Sequence, residues 1–190
     1  MAELKKTAKE ALELLIEGNK KYVSAKAEIG DVSAAQREKT LKEGQFPYAT
    51  VITCSDSRVI PESIFSAGIG DLFVIRVAGN VMDNHQLGSV EYAADHLGCP
   101  LVVVLGHTHC GAVDAAINHE PEGYIKYITD EIIGAVGDEK DDYKACRLNA
   151  LHSKAVIEES LKIQKDENEN GLKVVAAIYH LENGQVEFLD

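Results

Sequence analysis

The chain has 190 residues, 45% hydrophobic and 26% charged, the length and balance of one globular domain with a full core. Its 31 acidic residues outnumber 19 basic ones and leave a formal charge of −12. That excess argues against nucleic acid and against anionic membrane surfaces as partners, because both reward Lys and Arg stripes.

Residues 2 to about 26 predict an amphipathic helix, with Leu4, Ala8, Ala11, Leu12, Leu15 and Ile16 at helical spacing. Charges interrupt its apolar residues and no small-residue cleavage site follows, so a secretory leader is not expected. No stretch is apolar for long enough to span a membrane, and a cytoplasmic protein is the expectation. Gly30-Asp31 is a break, and Ser33 is placed to cap a second short helix. Tyr48–Cys54 reads as a strand that ends abruptly in Ser-Asp-Ser-Arg, and Pro61 opens a helix over 61–68. Leu72–Val77 is a second strand, closing in Ala78-Gly79-Asn80. Residues 84–98 read as a helix stopped by Gly98 and Pro100. Leu101–Leu105 is a fully apolar third strand, followed by Gly106-His107-Thr108-His109-Cys110-Gly111 and more helix.

Residues 119–142 predict short helices or loops, and 143–166 one long amphipathic helix with Leu148, Leu151, Ala155 and Leu161 on one side. Lys173–Tyr179 is a fourth strand, and Asn183-Gly184 turns the chain into an edge strand, Val186–Leu189. Apolar strands alternating with helices predict an α/β fold: a mostly parallel central sheet flanked by helices. The whole chain, 1–190, reads as one domain, with a helical arm over 1–45, an α/β core over 46–190 and a C-terminal hairpin.

Sites in such sheets form at the carboxyl ends of the strands. Two polar clusters fall there: Cys54-Ser55-Asp56-Ser57-Arg58 after the first strand and His107-Thr108-His109-Cys110 after the third. If those strands are neighbours, the clusters converge. Two thiolates and an imidazole make a tetrahedral zinc site with one free position, the arrangement of catalytic rather than structural zinc. A lone strand cysteine is ordinarily a small buried hydrophobe, and an isolated Asp-x-Arg is ordinarily a local salt bridge. Together, beside each other's ligands, they point to Cys54, His107 and Cys110 as metal ligands and to Asp56 held ionised by Arg58. His109 competes with His107, which is preferred because it precedes Cys110 by one helical turn. A Cys54–Cys110 disulfide is the alternative, disfavoured in a reducing compartment. Cys99 and Cys146 read as buried packing residues, and His85, His96, His119, His152 and His180 have no partner motif.

The ordered pair Cys54-Ser-Asp56-Ser-Arg58 and Gly106-His107-x-x-Cys110-Gly111 resembles the β-class carbonic anhydrases, and the similarity runs from Glu17-Gly18-Asn19-Lys20-Lys21-Tyr22-Val23 to the last hairpin. The resemblance implies one zinc ion per chain on Cys54, His107 and Cys110, with Asp56 and Arg58 as a catalytic dyad. It implies hydration of CO₂ to bicarbonate and a proton by a zinc-bound hydroxide. Gln45 matches an active-site glutamine that reaches across a dimer interface. Phe73, Ala78 and Tyr92 fall where the plant-like branch lines its CO₂ pocket; that branch usually carries Val at position 78. The Gly111 N–H, at a helix start, is placed to polarise a substrate oxygen. Some members carry a Trp three residues before the first zinc cysteine, within an inhibitory bicarbonate site. Val51 stands there instead, so that site is expected to be absent and the zinc open to water rather than capped by Asp56. A homodimer or dimer of dimers is implied. Two readings stay open beside CO₂ hydration: a carbonyl sulfide or carbon disulfide hydrolase on the same scaffold, and a non-catalytic zinc-binding protein. The second has no use for Asp56, Arg58 and Gln45.

Overall fold

A computed structural model describes residues 6–26, 29–118 and 121–189. The first helix, α1 (Ala8–Val23), begins at a capping box: the Thr7 hydroxyl accepts from the Glu10 N–H, and the Glu10 carboxylate accepts from the Thr7 N–H. It starts later than the apolar spacing predicts, and Leu4 lies outside the described residues. Ser33 caps α2 (Ala34–Glu43) as expected. Strand β1 (Ala49–Thr53) leads to α3 (Pro61–Ile64), which stops short of residue 68 because the chain turns left-handed at Ser66. Strand β2 (Leu72–Arg76) is followed by a tight 3₁₀ turn over Ala78–Asn80, and α4 (Asn84–Glu91) runs into a π turn over Tyr92–His96.

Strand β3 (Leu101–His107) extends two residues past its apolar run, because Gly106 and His107 pair with Ile178 and Tyr179 of β4 (Lys173–Tyr179). Helix α5 (Gly111–Asn118) follows. Where short helices or loops are expected, α6 (Ile125–Val136) is a 12-residue helix burying Thr129, Ile132 and Val136; Pro121 and Gly123 precede it rather than interrupt it. The single helix expected over 143–166 is two, α7 (Asp142–Glu158) and α8 (Leu161–Asn170). Ser160 separates them, its hydroxyl capping the Lys162 and Ile163 N–H groups. The buried face of α7 is Ala145, Cys146, Asn149, Ala150, Ser153 and Ile157, whereas Leu148 and Leu161 are 39% and 82% exposed. Small residues let α7 lie close against β3 and β4, so the larger Leu148 faces out.

The sheet order is β2-β1-β3-β4-β5, with β5 (Val186–Leu189) antiparallel on β4 and the other pairs parallel. Alternate residues enter two cores. Ile52, Val102, Val104, Ala176 and Ile178 pack with α5 to α8, while Val51, Val103, Leu105 and Ala177 pack with Ala11 and Leu15 of α1 and with α3. From β1 the chain moves to one side of the sheet, and from β3 to the other. The crevice between their carboxyl ends is therefore the switch point where open α/β sheets bind ligands. Thr53 pins the two ends together, its buried hydroxyl donating to the Leu105 carbonyl at 2.8 Å.

Candidate metal centre and active site

Cys54 immediately follows β1, His107 is the last residue of β3, and Cys110 immediately precedes α5. The switch point brings their ligand atoms within 4.8 Å of one another, all three side chains buried. The sulfurs of Cys54 and Cys110 are 3.9 Å apart. Two thiolates on one tetrahedral zinc, each about 2.3 Å from it, stand about 3.8 Å apart. The His107 ring is fully buried, with Nδ1 2.9 Å from the Thr108 carbonyl. That contact assigns the proton to Nδ1 and leaves Nε2 as a bare lone pair, without a partner among the described residues. A buried acceptor left unpaired is costly unless something takes its lone pair. The donor set of two sulfurs and an imidazole suits zinc.

The electrostatics agree with that fit. The hydrogen bond from the Cys110 thiol, together with the Gly79 and Asp56 N–H groups, holds Cys54 well below an ordinary thiol against the effect of burial. Cys110 is pushed up by the ionised sulfur beside it and by its own burial. Without a cation the pair keeps one proton; a divalent ion between the sulfurs removes the reason to keep it.

His109 is not part of the cluster. Its backbone is left-handed (φ 54°) and its ring faces out, with Nε2 2.9 Å from Glu182 Oε1 and Nδ1 3.6 Å from Asp142 Oδ2. His107 is thus the inward histidine for a reason other than helical spacing, since it belongs to a strand. Asp56 sits 3.9 Å from His107 Nε2 by its Oδ2. Arg58 grips it with two side-chain bonds, Nε to Oδ1 at 3.0 Å and Nη2 to Oδ2 at 2.8 Å, and its own N–H adds a third at 2.9 Å. Those bonds hold the Asp56 carboxyl down at about 2. Arg58 Nη2 also donates to the His109 carbonyl at 3.2 Å, which ties the two loops together.

A family model described as carbonic anhydrase matches residues 49–186. The chain belongs to the β-carbonic anhydrase family. The carbonic anhydrase of Mycolicibacterium smegmatis is 34% identical over 189 residues, covering 93% of this chain and 91% of that protein. Carbonic anhydrase 2 of Mycobacterium tuberculosis is 42% identical over 131 residues, 66% of this chain and 63% of that one. The crystal structure of the β-carbonic anhydrase CafA of Aspergillus fumigatus superposes with a TM-score of 0.73 at 28% identity, covering 82% of this chain and 81% of that chain. The chain is therefore a carbonate dehydratase, a lyase.

Other residues expected in a β-carbonic anhydrase site divide between two places. Gly111 opens α5 next to Cys110, and Ala78, half-buried, opens the turn beside Gly79. Gln45 is exposed ahead of β1, before the end of that five-residue strand opposite Cys54, a strand roughly 17 Å long. Phe73 pairs in register with Thr50, near that same end, and its ring lies 6.1 Å from that of Tyr92, itself 45% exposed. One chain does not gather Gln45, Phe73 and Tyr92 at its own cluster.

Cys99 and Cys146 are buried, and burial pushes both thiols up, Cys146 to about 12. His85, His96, His152 and His180 stand outside the cluster, and His119 lies outside the described residues. Two contributors escape the sequence reading. Arg76, at the end of β2, donates to the Cys54 carbonyl at 3.2 Å and to the Asp56 carbonyl at 2.8 Å, bracing the loop that carries both side chains. Gly79 donates its N–H to the Cys54 sulfur at 3.2 Å. The only trace of the first is a charge ending an apolar strand; of the second, a glycine in a turn.

Proposed function

We propose that the chain carries out reversible hydration of CO₂ to bicarbonate and a proton, with one zinc ion held by Cys54 Sγ, His107 Nε2 and Cys110 Sγ. The observation that carries the reading is the buried, unpartnered His107 Nε2 facing two sulfurs, with an Arg-locked carboxylate 3.9 Å away. A structural metal has no use for that carboxylate. Zinc with three protein donors supplies a Lewis acid that activates water near neutral pH.

The protein's own groups do the rest. Asp56, ionised across the working pH range, accepts a hydrogen bond from the attacking water and turns its lone pair toward the carbon. A carboxyl held at about 2 does not keep a proton, so Asp56 orients and the proton leaves to solvent and buffer. Arg58 engages both carboxylate oxygens, which favours an open metal position over one capped by Asp56. The Gly111 N–H, at the start of α5, is available to a substrate oxygen, and the small Ala78 leaves room for it. Gln45, Phe73 and Tyr92 serve the site of a second copy, in a homodimer or dimer of dimers, providing an amide and an apolar wall for CO₂. Among the described residues no helix is long and apolar enough to cross a membrane. Four buried, unbridged cysteines fit a reducing cytoplasm.

The test is zinc content together with stopped-flow CO₂ hydration on the purified protein. About one zinc per chain, with a rate that climbs from about pH 7 to 9, is expected. A metal-free preparation that hydrates CO₂, or a zinc-loaded one that does not, would overturn the reading.

A further inference from the structure

The turn that feeds Gly79 to the Cys54 sulfur is held from a distance of seventy residues. Gly79 and Asn80 are consecutive left-handed residues, φ 70° and 47°, the second of them not a glycine. Such a turn does not hold its shape unaided, and its two carbonyls point into the core, away from water. Helix α7 answers both. Asn149 Nδ2 donates to the Gly79 carbonyl at 2.7 Å, and Ser153 Oγ donates to the Asn80 carbonyl at 2.9 Å. The two donors are four residues apart, one above the other on one helix face, matched to two successive carbonyls. Both are 1% exposed, on a face otherwise made of Ala145, Cys146, Ala150 and Ile157.

Position 79 also favours glycine, since its φ of 70° strains any other residue. A Cβ there would press on Ile132 Cδ1 at 2.8 Å and Ala112 Cβ at 3.1 Å, so the turn packs against α5 and α6 as well as α7, with its N–H on the Cys54 sulfur. We infer that Asn149 and Ser153 are positioning residues for the metal centre: they lock the Ala78–Asn80 turn so that the Gly79 N–H stays on the Cys54 sulfur. The inference rests on the zinc reading above. An N–H bond to a metal-bound thiolate draws charge from the sulfur, and its donor geometry is prepared before any ion arrives. Outer-sphere partners of this kind set both metal affinity and the electronic character of the ligand.

The experiment uses cobalt(II) as the probe, in wild type, Asn149→Ala, Ser153→Ala, the double variant and Ile157→Val. Ile157→Val loosens the same buried helix without touching the turn. Cobalt affinity is read by competition with a chromophoric chelator, the thiolate-to-cobalt charge-transfer band by absorption, and folding by circular dichroism. Expected is an affinity loss of about 10-fold in each single variant, with a band moved to longer wavelength. The double variant should lose less than the product of the singles, because both act through one turn. Ile157→Val should leave the band where it is. Ser153→Ala removes a single hydroxyl and keeps the test alive if Asn149→Ala does not fold. Unchanged affinity and band in a folded Ser153→Ala protein, or the same band shift in Ile157→Val, would overturn the inference and leave the metal site standing. Wild type that binds no cobalt would overturn both.

Discussion

The carboxyl ends of β1 and β3 and the opposite edge around β2 handle their chemistry-bearing residues in contrasting ways. At the first, Cys54, Asp56, His107 and Cys110 are held within one chain: Thr53 pins the strands, Arg58 and Arg76 brace the loop, and Gly79 tops the sulfur. At the second, Gln45 and Tyr92 are exposed, and Phe73 is only half covered. Part of the expected site is thus finished by the fold of one chain and part is presented outward. The lesson is that ligand geometry demands rigid, buried support, whereas a pocket wall for a small apolar gas can be lent by a neighbour.

That contrast breaks most sharply at the ligands. Cys54→Ser should reduce bound zinc from about one per chain to nearly none, read by metal analysis after dialysis. Retained zinc would show that Cys54 is not a ligand. Asp56→Asn should keep its zinc and lose on the order of 100-fold in the CO₂ hydration rate at neutral pH. Full activity in that variant would remove Asp56 from the reaction.

Gln45→Ala tests the outward half, with an expected loss of about 10-fold, the worth of one hydrogen bond. Mixing decides whose site Gln45 serves. Subunits carrying Gln45→Ala, refolded with subunits carrying Asp56→Asn, regain activity if the glutamine crosses between chains, since one site of each mixed dimer is then intact. No regain would assign Gln45 to its own chain.

A smaller effect comes from pH. The folded Asp56 carboxyl titrates at about 2, below the ordinary 3.8, so its bond to Arg58 stabilises the fold fully above the ordinary value and is lost as pH falls toward 2. Arg58 is 55% exposed, so solvent screening keeps the effect small. Urea unfolding of wild type and Asp56→Asn should therefore differ at pH 5 and converge as the pH falls to about 2. The smallest effect belongs to Leu161, which is 82% exposed. Leu161→Ala should shift the unfolding free energy by less than about 0.5 kcal/mol, against the 2–5 expected of a core leucine.

The strand ends were the most legible part of the molecule, because polar residues following apolar runs mark where a parallel sheet presents its site. The helices after residue 118 were the least. Leu148 and Leu161 advertise an apolar face, yet α7 buries Ala145, Ala150 and Ser153, since close approach to a sheet selects small residues over greasy ones. The Ser160 cap, too, looks like any serine until two helices meet at it.

Residue types and spacing determined the alternating α/β pattern, the two cysteine- and histidine-bearing loops and the Asp56–Arg58 pair, since these depend on local periodicity and chemistry. Tertiary structure decided the rest. It placed β1 beside β3, turned His107 inward and His109 outward through one left-handed residue, and set Arg76, Gly79 and Asn149 around the Cys54 loop. Those are contacts between residues 20 to 70 positions apart, and no local pattern along a chain encodes which distant donor will meet which acceptor.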